Sequence, residues 1–252
     1  MKEQTNSRQR RPTRFFISAP FGNYIKPKGA IPVSGTFTLN PRGNRLWSVA
    51  KSLRYNTKFN GWTNKLGLPN PGIEKGLKRH VNGEVISIAE IEVNDFVKIQ
   101  QIIPDSHSVE LNLSCPNVDK ILTWESCKVF TKLNSLRREW CIGKVSPLTT
   151  PEELKFLIDE IGFRQIHISN TLPLSGNRGG VSGPVLIPYT LELIDLIRET
   201  WGESITIVAG GGVTDFGGVM RYLGKGANHV SIGSVCFNPF KLRKLLKSCE
   251  CV

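Results

Sequence analysis

No run of about 18 apolar residues occurs anywhere in the 252-residue chain, so no segment is expected to cross a membrane as a helix. The first fourteen residues carry Arg8, Arg10, Arg11 and Arg14 with no apolar stretch behind them, so a secretory signal is not expected either. Paired cysteines are missing too. Cys115, Cys127, Cys141, Cys236, Cys249 and Cys251 are scattered, with no CxxC and no Cys/His spacing that would clamp zinc. They read as reduced thiols of a cytoplasmic protein without a metal site. Acidic residues are the scarcer charge: 21 Asp and Glu stand against 33 Lys and Arg, for a net +12. That balance favours polyanionic or phosphorylated ligands and is silent about fold. Part of it lies in residues 1–14, where Lys2 and four arginines face only Glu3, and this stretch reads as a solvated basic tail.

What is present, 39% hydrophobic and 21% charged residues with 24 glycines and 15 prolines, is the composition of a soluble globular protein with a sizeable core. Short apolar or alternating runs recur, each closed by Gly, Pro, Asn or Ser. Strands are expected at Phe15 to Ser18, Ile31 to Phe37, Val85 to Ala89, Ser108 to Leu113, Cys141 to Val145, Gln165 to Ser169, Ile205 to Ala209 and Val230 to Ile232. Helical spacing appears at Asn94 to Ile103, Pro151 to Ile161, Pro188 to Trp201 and Asp215 to Leu223. Thr150 before Pro151, with Glu153 three residues on, forms a capping-box start, and Thr214 is a plausible cap for the helix at Asp215. Strand-helix units joined by right-handed crossovers require a parallel sheet. At this length an α/β fold of the (β/α)8 type, a TIM barrel in one domain over residues 15–252, is the economical solution, with a doubly wound open sheet as the runner-up.

In such a barrel the chemistry belongs on the loops after the strands' C-terminal ends. Those loops are rich in Asn, Ser and Gly: Asn112 to Asn117, Ser146-Pro147, Ser169-Asn170-Thr171, Gly210-Gly211-Gly212 and Gly233-Ser234. The glycine run follows a buried-looking strand and precedes a helix, so its backbone amides suit an anion at a helix N-terminus. A tight turn is the plainer reading of the same run. Together with Gly233-Ser234 at the next strand end, it favours a phosphate site. Cys115 lies in a polar, proline-stiffened loop and can act as a base or nucleophile if accessible; a buried inert thiol is the alternative, and no His or carboxylate adjoins it in sequence. The asparagines at positions 64, 70, 112, 117 and 170 supply neutral donors and acceptors suited to a flat polar heterocycle, although Asn most often simply makes turns. Lys144, ending a core-like strand, can offset negative charge on a cofactor or merely be solvated.

These blocks resemble the dihydroorotate dehydrogenases, flavin enzymes of pyrimidine synthesis built on a (β/α)8 barrel. The similarity runs from about Ala19 to Phe240 and rests on Glu110 to Asn117, Asn64 to Asn70, Lys144 to Pro147, Gly179 to Gly183 and Gly210 to Gly212. The resemblance implies a non-covalent FMN with its phosphate at Gly211, Gly212, Gly233 and Ser234, Lys144 near the ring system, and Ser182 and Gly183 alongside. It also implies that Asn64, Gly67, Leu68, Asn112, Asn117, Asn170 and Thr171 hold dihydroorotate. Cys115 matches the base that takes the C5 proton while hydride leaves C6 for flavin N5. A cysteine there is similar to the soluble members, which pass electrons to fumarate or, through a partner subunit, to NAD; fumarate is the acceptor expected, and a homodimer is the family habit. Gly35-Thr36-Phe37-Thr38 and the short loop ending at Gly183 look more like the quinone class. Three positions depart from the pattern. The soluble members' substrate-facing lysine on the second strand is absent from Val33-Ser34-Gly35-Thr36, with Lys26 a candidate replacement; the first-strand glycine motif is blurred at Ala19 to Gly22; the loop after Asn117 lacks the usual glycine. The alternative readings are a tRNA-dihydrouridine synthase-like flavin barrel, which the charge of +12 would suit, and a barrel that binds flavin or RNA without turnover. Nucleic acid is not the expected partner.

Overall fold

A computed structural model of the chain describes residues 12–43, 51–113, 124–132, 137–174 and 179–250. The strands among them are β1 (Phe15–Ile17), β2 (Ala30–Phe37), β3 (Arg54–Asn56), β4 (Gly61–Asn64), β5 (Val85–Ile88), β6 (Ser108–Asn112), β7 (Cys141–Val145), β8 (Gln165–Ile168), β9 (Leu172–Pro173), β10 (Gly180–Ser182), β11 (Thr206–Gly210) and β12 (His229–Ile232). Eight of them close into a barrel in the order β1-β12-β11-β8-β7-β6-β5-β2, every pair parallel. These are the eight expected strands, each displaced by at most one residue at either end. Closure leaves no sheet edge, which an open doubly wound sheet would have kept.

The helices between them are α1 (Ile73–Leu77), α2 (Asp95–Ile102), α3 (Lys128–Thr131), α4 (Pro151–Lys155), α5 (Ile187–Trp201), α6 (Phe216–Gly224) and α7 (Pro239–Ser248). The capping box of α4 forms: Glu153 N–H donates to Thr150 Oγ1 and Thr150 N–H to Glu153 Oε2. The helix then widens into a π-helical segment over Phe156–Glu160. At α6 the expectation is corrected. Asp215, not Thr214, is the cap, its carboxylate accepting from Gly218 N–H at 2.9 Å, because a carboxylate one residue closer reaches the first-turn amides directly. No helix among the described residues is long and apolar enough to cross a membrane.

Strand alternation sends two kinds of side chain in two directions. Outward-facing residues such as Ile86, Ile88, Val109, Leu111, Ile166 and Ile168 are fully buried in the main core with the helix residues Phe96, Ile99, Leu193 and Ile197. Inside the barrel a smaller apolar plug of Phe16, Val33, Val85, Trp140, Ile142 and Val208 fills the N-terminal end, with Phe16 edge-on to Trp140 at 5.0 Å. Toward the C-terminal end the inward positions turn polar yet stay buried: Ser18, Thr36, Ser87, Glu110, Asn112, Lys144, His167 and Ser231.

The remaining strands form a second, antiparallel sheet in the order β3-β4-β10-β9, which the sequence pattern did not announce. It joins the segment that follows β2 to the one that follows β8, pairing Asn64 with Gly180 and Trp62 with Ser182. Arg14, counted with the basic tail, is tied to the barrel: its N–H donates to His229 Nδ1 and its carbonyl accepts from Val230 N–H. Residues 1–11 lie outside the described residues.

Candidate functional site

The glycine run ending β11 is shaped by its neighbours. Gly211 and Gly212 have φ of +92° and +72°, and a Cβ on Gly212 would lie 2.7 Å from Pro184 Cα, so a larger residue would be strained and crowded. Tyr222 Oη and Thr190 Oγ1 donate to the carbonyls of Gly211 and Gly210 at 2.6 and 3.1 Å, which fixes the turn from behind. The α6 N-terminus is occupied by its own Asp215, so an anion at that helix end, as the sequence suggested, is corrected: the glycine turn itself faces the cavity.

That cavity has a volume of about 430 Å³, within the range of small-molecule and cofactor sites. Gly211, Gly212, Gly233 and Ser234 line one part of it, and a Cβ on Gly233 would meet nothing closer than Ser18 Oγ at 3.7 Å. Lys144, Asn170 and Thr171 from the ends of β7 and β8 line another, with Asn64, Ser182 and Gly183 from the second sheet and its exit. Phe21, Trp62 and Phe237 form an aromatic rim, packed at 4.9 Å (Phe21 to Phe237) and 4.4 Å (Trp62 to Phe237). A glycine turn, the Lys144 ammonium, amides and flat apolar walls suit a ligand with an anionic end and a planar ring.

Beneath the cavity floor lies a buried charge cluster. Glu110 is fully buried; its Oε2 is 2.6 Å from His167 Nδ1, and its Oε1 accepts from Ser87 Oγ at 2.9 Å and lies 3.5 Å from Lys144 Nζ. Burial alone would raise the Glu110 pKa, but Lys144 and His167 more than reverse it and hold the group at about 2. Burial also lowers the His167 pKa, against the pull of Glu110. His167 Nδ1 and the Lys144 ammonium together hold the Glu110 carboxylate, one at each oxygen. His167 Nε2 and Thr171 Oγ1 are buried without a hydrogen-bond partner among the described residues, two polar atoms left for a ligand or water.

Most of the residues singled out in the sequence therefore meet at one place. Asn112 lies just below the cavity wall, accepting from Asn170 Nδ2 at 3.3 Å. Gly67 and Leu68 do not line the cavity; they form a left-handed turn, φ +64° and +57°, whose Leu68 carbonyl accepts from Asn70. Lys26 does not take the place of a second-strand lysine. It pairs with buried Glu84 just before β5, at the N-terminal end of the barrel, and a side chain anchored there cannot reach the mouth. Cys115 and Asn117 lie outside the described residues. Cys236 lines the cavity, but burial pushes its thiol up to about 12.

Glu110, His167, Ser87 and Thr36 were not anticipated as functional residues. For Glu110 and His167 the signal was available in the alternation of Ser-Val-Glu-Leu-Asn in β6 and Gln-Ile-His-Ile in β8, where polar residues occupy the inward phase of strands otherwise built for a core.

Comparison with known proteins bears on this arrangement. The model of the dihydroorotate dehydrogenase family matches residues 29–249. The chain belongs to that family. Its members are flavin-dependent oxidoreductases. Among curated members, the dihydroorotate dehydrogenase B (NAD(+)) catalytic subunit of Geobacillus sp. (strain WCH70) is 30% identical over 243 residues, 84% of this chain and 75% of that protein. A protein of Aquifex aeolicus (strain VF5), whose name carries "dihydroorotate dehydrogenase A (fumarate)", is 28% identical over 223 residues, 75% of this chain and 72% of its own. In fold, the crystal structure of the Eimeria tenella dehydrogenase in complex with ferulenol superposes with a TM-score of 0.71 at 18% identity, covering 92% of this chain and 79% of that one. The family match gives no support to the tRNA-modifying reading.

Proposed function

We propose that this chain oxidises dihydroorotate to orotate, with FMN held in the 430 Å³ cavity and Cys115 as the base. The observation that carries the reading is the shared lining of that cavity: the Gly211-Gly212 turn and, at the next strand end, Gly233 on one side, Lys144 and the amides of Asn64 and Asn170 on another. The donor set fits the cofactor: backbone glycines and Ser234 for its phosphate, Lys144 for the electron-rich part of its ring, and Ser182 and Gly183 beside them. When bound, FMN supplies the hydride acceptor. The chain's own residues do the rest. Asn64, Asn112, Asn170 and Thr171, with Asn117, orient the substrate's amide and carboxylate groups, and the second sheet and aromatic rim shield the reacting faces from water.

Cys115 would take the proton from C5. Leu113, two residues before Cys115, donates its N–H to the Lys144 carbonyl at 3.0 Å. Fumarate is the proposed acceptor, supported by the name of the Aquifex relative, and a homodimer the proposed assembly. The experiment is an anaerobic visible spectrum of protein reconstituted with FMN, before and after dihydroorotate. Bleaching by dihydroorotate and recovery of the band with fumarate is the expected result. A flavin band that dihydroorotate leaves untouched overturns the substrate assignment, and recovery with NAD and a partner subunit but not with fumarate overturns the acceptor.

A further inference from the structure

The buried polar residues between the mouth and Lys144 form one continuous chain. Asn170 Nδ2 donates to Asn112 Oδ1 at 3.3 Å, and Asn112 Nδ2 donates to Thr36 Oγ1 at 3.4 Å. Thr36 Oγ1 and Ser87 Oγ are 3.0 Å apart, and Ser87 Oγ is 2.9 Å from Glu110 Oε1. The direction of every bond follows from the last. An ionised carboxylate only accepts, so the single Ser87 hydroxyl hydrogen goes to Glu110. Ser87 must then accept from Thr36, and Thr36, having given its hydrogen, accepts from Asn112. All four bonds point from the mouth toward the carboxylate, the alignment in which successive hydrogen bonds polarise one another.

Glu110 Oε1 is the junction, because the Ser87 hydroxyl and the Lys144 ammonium share that one oxygen. Glu110 Oε2 is held separately by His167, so the carboxylate cannot turn away to serve one partner alone. Whatever weakens or strengthens the Ser87 bond changes the negative charge that Lys144 sees. Thr36 is also placed with little freedom. It follows Gly35, where φ is +107° and a Cβ would lie 2.4 Å from the Ser87 carbonyl oxygen, so the β2 backbone is pressed against β5 at this point.

Resting on the cofactor and substrate reading above, we infer that Glu110 is a positioning residue for Lys144, and that Thr36 and Ser87 relay to it the occupancy of the Asn112 and Asn170 amides. A ligand gripped by those amides redistributes their hydrogen bonds, and the change reaches Lys144 through the shared Glu110 oxygen. The consequence is that substrate or product binding shifts the reduction potential of the cofactor through side chains that never touch either one.

The test uses two readouts. In protein reconstituted with FMN, the midpoint potential is measured with and without orotate for wild type, Ser87→Ala, Thr36→Val and Thr36→Ser. The expected result is an orotate-dependent shift in wild type that Thr36→Ser keeps, because it retains the hydroxyl, and that Ser87→Ala and Thr36→Val lose in large part. Absence of the shift in wild type, or an undiminished shift in both Ser87→Ala and Thr36→Val, overturns the relay. In the apoprotein, the histidine-labelled NMR spectrum reports the far side of Glu110: the His167 ring resonances move in Ser87→Ala and in Thr36→Val but not in Thr36→Ser. An unmoved His167 in the first two variants overturns the relay without any cofactor present. Failure of the wild-type protein to take up FMN defeats the cofactor reading instead, and the His167 spectrum then decides the relay by itself.

Discussion

A carboxylate with no exposed surface is stable only if other groups replace its lost water, and Glu110 shows what that requires: an ammonium, an imidazole N–H and a hydroxyl, from three different strands. Its pKa, held at about 2 against an ordinary 4.5, is a stability statement. The group binds its proton more weakly in the folded chain than in the unfolded one, so its contribution is complete above pH 4.5 and drains away as the pH falls from 4.5 toward about 2. Denaturant midpoints should therefore drop more steeply across that window in wild type than in Glu110→Gln; equal slopes would mean that Glu110 does not carry the effect. Residue-scale chemistry also yields the expectation for the proposed base. Cys115→Ala should retain FMN while losing turnover by about 10², the scale of a positioned general base, with Cys115→Ser between the two. Stopped-flow reduction by dihydroorotate measures both, and a Cys115→Ala variant as fast as wild type removes the base assignment.

At the scale of elements, polar residues on strand ends become a site because the strands hold them in register. Asn112 pairs with Lys144 across β6 and β7, and Lys144 with His167 across β7 and β8, so adjacent inward side chains sit at one level of the barrel. The second sheet is assembled from strands of two to four residues, too short for alternation to show, and its central pairing, β4 with β10, joins residues more than a hundred positions apart. It was therefore illegible in the sequence, whereas the barrel strands, flanked by turn residues and rich in Ile and Val, were plain. The Asn-rich segment announced a turn at Gly67 and Leu68, and the structure has one, with φ of +64° and +57°. Gly35 is a position with little tolerance for change. Gly35→Ala forces a side chain into a φ of +107° and against the Ser87 carbonyl. It should cost about 2 kcal/mol or more and lower Tm by about 4 °C or more. A melting curve that matches wild type would show that β2 and β5 can separate there without penalty.

For the molecule as a whole, closure of the eight strands brings segments from positions 18 to 237 around a single cavity, and the chain carries a net charge of +12. Dihydroorotate is an anion, so the net positive charge should raise its rate of encounter. Between about 10 and 150 mM salt the screening length shrinks from about 30 to 8 Å, and kcat/KM for dihydroorotate should fall several-fold while kcat holds. A kcat/KM insensitive to salt would place the excess charge where the substrate does not feel it, as on the basic segment at residues 1–11.

The sequence by itself determined the barrel strands, the first turn of α4, the glycine turn and the loops that bear the asparagines, because these follow from local periodicity, turn chemistry and backbone sterics. Tertiary structure alone decided that Glu110 should meet Lys144 and His167, that Lys26 should pair with Glu84 far from the mouth, and that two loops should join as a sheet bordering the cavity. Those contacts span up to about 120 positions of chain, and an isolated strand carries no record of which neighbour closure will set beside it.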